Sequence, residues 1–351
     1  MLLLHFLRLI RFGNLLVIGV TMCIIQAFIA NHGNRKYNLS SQDIPVMDTA
    51  ADVSFQYNYF LKYNFDFNFL LLIISVLCIA GAGNIINDYF DIKADRVNKP
   101  EKMVVEKHIK RRWAIVWNWI FNAVGLGIAV YLSWKYSNVW IALIAFLTIN
   151  FLWFYSALYK RRIFVGNIIV AVLVGIVPVY VMIFNFPISG FNVPYKNTYI
   201  EFGPLFIYEV VITVGIIAFM INLMREIIKD MADIRGDLHL SAKTVPIALG
   251  IRQTKTILSI MLIPLLGLIT YYVYNITHYN VLFQSIHINL IESPILFDNL
   301  TVFQIFTVMS GIVCILGFVV LLTSNTRKKY LLSSNLLKLA MLFGMVSPLF
   351  L

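Results

Sequence analysis

Apolar runs recur along the chain, separated by short polar segments. Runs of this length span a bilayer as helices, because about 20 residues at a 1.5 Å rise cover about 30 Å of hydrocarbon. The pattern predicts nine such helices. The first covers 15–30, and the second starts at Phe67 and continues into a polar stretch. The others cover about 113–132, 139–157, 164–184, 205–228, 255–275 and 300–323, and a ninth closes the chain. Between them, 31–66 reads as a long external loop rich in Asn and Tyr. Segment 185–204 reads as a loop broken by Pro187, Gly190, Pro194 and Pro204, and 277–299 as a loop without Lys or Arg. The expected fold is all-α, one polytopic membrane domain over 1–351. The basic start (His5, Arg8, Arg11) before an apolar run resembles a leader peptide. However, the only plausible cut follows Ala30, and Phe28 occupies the third position before it, where a small residue is needed, so the first helix is expected to be retained.

Two helix ends break the apolar pattern in the same way. Asn84, Asp88, Asp91 and Asp95 close the second helix, and at about 100° per residue they fall within roughly 60° on one face. Glu226, Asp230, Asp233 and Asp237 close the sixth with the same offsets. Like charges at these spacings repel by a few tenths of a kcal/mol per pair, so cationic compensation is required. Two matching stripes suggest two pseudo-repeated halves that share one site; the plainer reading makes both of them solvated helix ends.

Composition agrees with a membrane protein, with 60% hydrophobic and 13% charged residues. Cys23, Cys78 and Cys314 all lie in apolar runs without disulfide or zinc spacing. The net charge of +11 is explained by orientation rather than nucleic acid. With the N-terminus inside, 22 of the 28 Lys and Arg fall in inner segments and five in outer ones, and Lys338 in the last helix completes the set. This bias puts the N-terminus and both acidic stripes on the cytoplasmic side, in the cell membrane.

Oxygen-rich clusters without His or Cys suit Mg²⁺, which keeps waters and bridges carboxylates to phosphate oxygens. Arg96, Lys99, Arg225, Lys229 and Arg235 are threaded among the acids, with Lys160, Arg161 and Lys243 on the same side. Metal plus Lys or Arg neutralises the charge that builds on a diphosphate leaving group. Apolar helices beneath such a site would house a hydrocarbon tail, and an allylic diphosphate meets both requirements.

The motif Asn87-Asp88-x-x-Asp91-x-x-x-Asp95 resembles the first signature of the UbiA superfamily of intramembrane prenyltransferases, and Asp233-x-x-x-Asp237 resembles the second. Arg225 to Asp237, followed by Ala242-Lys243-Thr244-Val245-Pro246-Ile247-x-x-Gly250, is most similar to the digeranylgeranylglyceryl phosphate synthase branch. Tyr155-Ser156 with Lys160 and Gly166-Asn167 resembles the family's junction between fourth and fifth helices, and Arg11 with Asn14 its first-helix pair. Where the family often has Arg-Pro-x-x-x-Gly, this chain reads Lys99-Pro100-Glu101-Lys102-Met103-Val104. The resemblance implies Mg²⁺-dependent transfer of a prenyl group, geranylgeranyl in that branch, to a lipophilic acceptor such as geranylgeranylglyceryl phosphate. It implies Asn87, Asp91, Asp95, Asp233 and Asp237 as the core metal-binding set, with Asp91, Asp95, Asp233 and Asp237 catalytic. Asp88 and Asp230 join as ligands or orienting groups, and Asn84 fits the stripe by position. Tyr155, Lys160, Arg225 and Lys229 would contact diphosphate, and Arg11 and Asn14 the acceptor's phosphate. The expected partners are donor, acceptor and membrane lipid, with no nucleic acid and no obligate protein partner.

An aromatic, quinone-precursor acceptor is the alternative within the family. CDP-alcohol phosphotransferase chemistry would need one compact Asp block, whereas Asp88 and Asp230 are 142 residues apart. A transporter is the alternative of another class; inverted repeats would put the stripes on opposite faces, whereas both close even-numbered helices. A soluble prenyltransferase would not carry this hydropathy.

Overall fold

The computed structural model describes residues 2–33, 66–98, 100, 101, 103–186, 202–239, 241–287, 299–323 and 325–351. Among these residues the chain is helical except for turns and a single β-bridge between Val105 and Ile109. Among the described residues nine helices are long and apolar enough to cross a membrane, and the protein is an integral membrane protein of all-α class. A short α1 (Leu2–Leu9) precedes α2 (Phe12–Gly33). Then come α3 (Phe67–Asn98), α4 (Arg111–Lys135), α5 (Val139–Ala157) and a 3₁₀ turn (Tyr159–Arg161). They are followed by α6 (Val165–Asn185), α7 (Phe202–His239) and a short α8 (Val245–Leu249). The chain ends with α9 (Ile251–His287), α10 (Leu300–Leu322), α11 (Arg327–Val346) and a 3₁₀ turn (Ser347–Phe350).

Helix starts follow local chemistry. Asp66 Oδ1 accepts the Phe69 N–H at 2.8 Å and caps α3. Asn138 caps α5 through the Trp140 N–H. Pro204, expected in a loop, lies in the first turn of α7, where a missing N–H costs nothing. Residues 277–287, also expected in a loop, continue α9. Their polar residues end the hydrophobic pattern, but no Gly or Pro interrupts the backbone. The rest of the 31–66, 185–204 and 277–299 expectations, with Lys99 and Lys102, lies mostly outside the described residues.

Of the nine spans, α7 is the most buried and α5 the least, so α7 forms the axis of the bundle. It packs against α6 through a glycine pair: a Cβ on Gly175 would come within 2.8 Å of the Gly215 carbonyl. In lipid, where apolar side chains gain little by leaving their surroundings, such backbone approach supplies dispersion contacts that larger residues prevent. Polar side chains stitch helices in the same way. Ser75 Oγ donates to the Gly125 carbonyl (2.7 Å), and Asn118 Nδ2 to that of Ala82 (2.9 Å), joining α3 to α4. Outward-facing Trp119, Trp134, Phe146, Ile260, Ile263 and Ile305 are exposed, as a lipid-facing surface requires.

Candidate active site

The first stripe occupies the last turns of α3 and is tied to two neighbouring elements. Asn84 Nδ2 donates to the Ile10 carbonyl at 2.9 Å, at the elbow between α1 and α2. The elbow is made by Arg11, whose φ of 51° lies in the left-handed region. Arg11 Nη2 pairs with Asp88 Oδ1 at 2.6 Å. One turn on, Asn87 and Asp91 are buried. Lys160 from the 3₁₀ turn after α5 donates to Asn87 Oδ1 at 3.0 Å and to the Asp91 carboxylate. Asp95 is half-buried one turn further.

The second stripe occupies the corresponding end of α7. Glu226 Oε1 accepts from Arg225 Nη1 at 2.8 Å and Lys229 Nζ at 2.6 Å, so these three side chains form one charged group. Asp230 Oδ2 accepts the Asn167 amide of α6 at 2.8 Å. Asp233 Oδ1 pairs with Arg327 of α11 at 3.2 Å. Asp237, half-buried, lies within electrostatic range of Asp230.

Lys160 joins the stripes. Besides bonding Asn87 and Asp91, its ammonium acts electrostatically on Glu226 and Asp230 across the bundle. The Tyr155 phenol is within the same range of Lys160, Asp91, Glu226 and Asp230. The two stripes therefore meet at one end of the bundle, as α3 packs on α7. Gly166 makes the arrangement possible: its backbone lies so close that a Cβ would come within 3.0 Å of Lys160 Cα and the Tyr159 carbonyl oxygen, and 3.2 Å of the Tyr155 ring. Burial opposes charge on Lys160, yet the Asp91 carboxylate outweighs it and holds the ammonium above the ordinary lysine range. Arg11 is raised in the same way, burial being outweighed by Asp88.

The donor set of this site is carboxylate and amide oxygen. Among the described residues, no three His, Cys, Asp or Glu side chains converge to hold a metal ion by themselves. A donor set of oxygens without His or Cys suits Mg²⁺ rather than zinc. Mg²⁺ retains several waters and is bound through one or two carboxylates plus substrate phosphates, so it does not need a closed protein cage. Asn87, Asp91, Asp95, Asp233 and Asp237 are the residues that could hold it, with Asp88 and Asp230 beside them.

All the expected residues except Asn14 cluster around the two stripes. Asn14 lies one turn past Arg11, where its Oδ1 accepts Lys338 Nζ of α11 at 3.0 Å. Three partners were not singled out from sequence: Arg327 on Asp233, Asn222 beside Arg225, and Lys338. For Lys338 a signal exists, since a lysine inside an apolar span is by default a functional candidate. Nothing in the linear spacing points to Arg327 or Asn222.

The chain is 34% identical over 186 residues to a digeranylgeranylglyceryl phosphate synthase of Thermococcus gammatolerans, covering 52% of this chain and 57% of that protein. It is 31% identical over 210 residues to the synthase of Methanothermobacter thermautotrophicus, covering 59% and 65%. The matched stretch thus spans less than two thirds of either relative. A solved structure concerning a digeranylgeranylglyceryl phosphate synthase aligns over 99% of this chain and 97% of its own, at 21% identity and a TM-score of 0.54. A UbiA homolog from Aeropyrum pernix aligns over 94% and 98% at 14% identity and a TM-score of 0.57. At these identities the two structures establish likeness of fold. The UbiA prenyltransferase family model matches residues 59–292, more than half of the sequence and a stretch that includes both acidic stripes and Lys160, so the chain belongs to the UbiA prenyltransferase family, a family of prenyl-transferring enzymes.

Proposed function

We propose that the protein transfers a geranylgeranyl group from geranylgeranyl diphosphate to geranylgeranylglyceryl phosphate in a Mg²⁺-dependent reaction. The observation that carries this reading is the convergence of two acidic helix ends on one cation, Lys160, which bonds Asn87 and Asp91 and acts on Asp230. The similarity to archaeal digeranylgeranylglyceryl phosphate synthases supports the acceptor and the chain length.

Ionisation of the allylic donor breaks the C1–O bond, and the bonding pair leaves with the diphosphate oxygen. Mg²⁺, when bound, neutralises part of the charge on that leaving group. Lys160 stabilises the same developing charge from the 3₁₀ turn, and Lys229, paired with Glu226, does so from α7. The acceptor's hydroxyl oxygen then bonds C1 of the allylic cation, and its proton goes to the released diphosphate or to an aspartate of either stripe. Asp88 and Asp230 are assigned orienting roles, because Arg11 and Asn167 hold them in place. Asp91, Asp95, Asp233 and Asp237 are assigned to the metal–diphosphate centre. We assign the site to the cytoplasmic face of the cell membrane, on the distribution of Lys and Arg among the loops.

Purified protein with Mg²⁺, labelled geranylgeranyl diphosphate and a panel of acceptors tests this. Prenylation of geranylgeranylglyceryl phosphate is expected. Prenylation of an aromatic acid, with no product from the glyceryl phosphate, would replace this reading by the quinone-precursor one.

A further inference from the structure

Lys338 lies eleven residues into α11, about 16 Å from the helix start at Arg327. Its Nζ donates to the neutral Asn14 Oδ1 at 3.0 Å, and among the described residues no carboxylate lies within ion-pair distance of it. Lys338 is half-buried in an otherwise apolar span, where a lysine without a counter-charge is by default a functional-site candidate. The surroundings point the same way. Arg225 of α7 is near enough to repel Lys338, and its buried Nε has no hydrogen-bond partner. The adjacent Asn222 is 2% exposed, and its Nδ2 is likewise a buried donor without an acceptor. α2, α7 and α11 pack against one another here, so these donors belong to one junction.

The junction therefore has an excess of cations over acids and of donors over acceptors. Buried donors left without acceptors carry a desolvation penalty that a ligand rich in anionic oxygen removes. A cleft of about 480 Å³ lies at the α1–α2 elbow, walled by Leu4, Leu7 and Phe12 and by Arg8, Arg11 and Asn14, and Asn14 connects this wall to Lys338. Such a wall suits an amphiphile whose chain lies towards lipid and whose phosphate lies towards the basic residues.

We infer that Lys338, with Arg225 and Asn222, binds the phosphate of the acceptor lipid beside the elbow cleft. This rests on the proposed glyceryl phosphate acceptor, and it separates two anion sites: Lys160 and the stripes for the donor's diphosphate, Lys338 for the acceptor's phosphate.

The test is steady-state kinetics of the full chain with each substrate varied in turn. Lys338→Met is expected to raise KM for geranylgeranylglyceryl phosphate tenfold or more and to leave KM for geranylgeranyl diphosphate within twofold. Its preference for that acceptor over dephosphorylated geranylgeranylglycerol should shrink by the same factor, and Lys338→Arg should restore most of it. In the unmodified protein, the bare headgroup glycerol 1-phosphate should compete with the acceptor and not with the donor. That readout stands even if Lys338→Met fails to fold. An unchanged acceptor KM in Lys338→Met, equal rises in both KM values, or competition by the headgroup against the donor would overturn the inference. If the unmodified protein prenylates the glyceryl phosphate and Lys338→Met is indifferent, only this inference falls. If it does not use that acceptor at all, the proposed function falls with it.

Discussion

The ammonium of Lys160 bonds the carboxylate of Asp91, a pairing that draws a 3₁₀ turn after α5 onto the last turns of α3. The same ammonium reaches Asn87, and Asp230 and Glu226 of α7 lie within its electrostatic range. One cation thus stands where two acidic helix ends meet, and in the proposed reaction it meets the donor's diphosphate there. Lys160→Met is expected to lower kcat by about 10²- to 10³-fold, the cost of losing one preorganised charge at a developing anion, or about 3–4 kcal/mol. Lys160→Arg should recover part of it. Single-turnover measurement with saturating donor would separate this from weakened binding, and a kcat within twofold of the parent would remove Lys160 from the proposed chemistry.

The position of that lysine depends on a neighbouring backbone. Gly166→Ala would put a methyl 3.0 Å from both Lys160 Cα and the Tyr159 carbonyl, so the turn must shift by a few tenths of an ångström. Misplacement of a charged group on that scale is expected to cost about tenfold in kcat, with helix content by circular dichroism unchanged. Equal activity would mean that the turn accommodates the methyl without moving the ammonium.

Asn167 supplies a hydrogen bond to Asp230. Asn167→Ala leaves this largely buried carboxylate short of a donor, at a cost of about 1–3 kcal/mol. Thermal unfolding in detergent should show the lowered stability, and donor KM should rise as Asp230 loses its orientation. Asn167→Asp should be worse, since it sets a second acid against the first.

Asp91→Ala and Asp237→Ala are expected to abolish measurable transfer while the proteins still fold. Partial removals, Asp91→Asn or Asp237→Asn, should raise the Mg²⁺ concentration needed for half-maximal rate. Full activity in either alanine variant would contradict the assignment of these stripes to the metal–diphosphate centre. Chelation of divalent metal should stop the reaction reversibly.

The pH dependence follows from Lys160. Its folded-state pKa is raised, so the contribution of its charge to stability is fully present below the ordinary lysine pKa of about 10.4 and is lost only as pH rises through the higher folded value. No alkaline fall in rate from this residue is expected below about pH 10. Lys160→Arg should leave the alkaline limb of the rate profile unchanged, and a limb that moved up with the substitution would show that Lys160 titrates in the working range.

The acidic stripes were legible because helical periodicity is a local property. Asp88, Asp91 and Asp95 lie on one face of a single helix whatever packs against it, and so do Asp230, Asp233 and Asp237. Helix ends were less legible. Hydropathy marks where a chain leaves lipid, not where its backbone stops being helical, so α9 extends through His287, well past the apolar pattern. Partners were the least legible. Asp88 could have met any of the neighbouring cations; the fold gives it Arg11, 77 positions away, and gives Asp233 the Arg327 of α11.

Composition and period alone therefore led to nine apolar membrane-crossing helices, the number found among the described residues, and to two of them ending in acid-lined faces. Those properties arise within single helices and against a uniform solvent. Tertiary packing alone decided that Lys160 stands between the two faces, that Asn167 holds Asp230, and that Lys338 meets Asn14 from the far end of the chain. Contacts between distant segments depend on how whole helices fit together, through approaches as close as Gly175 on Gly215, and no local pattern records that fit.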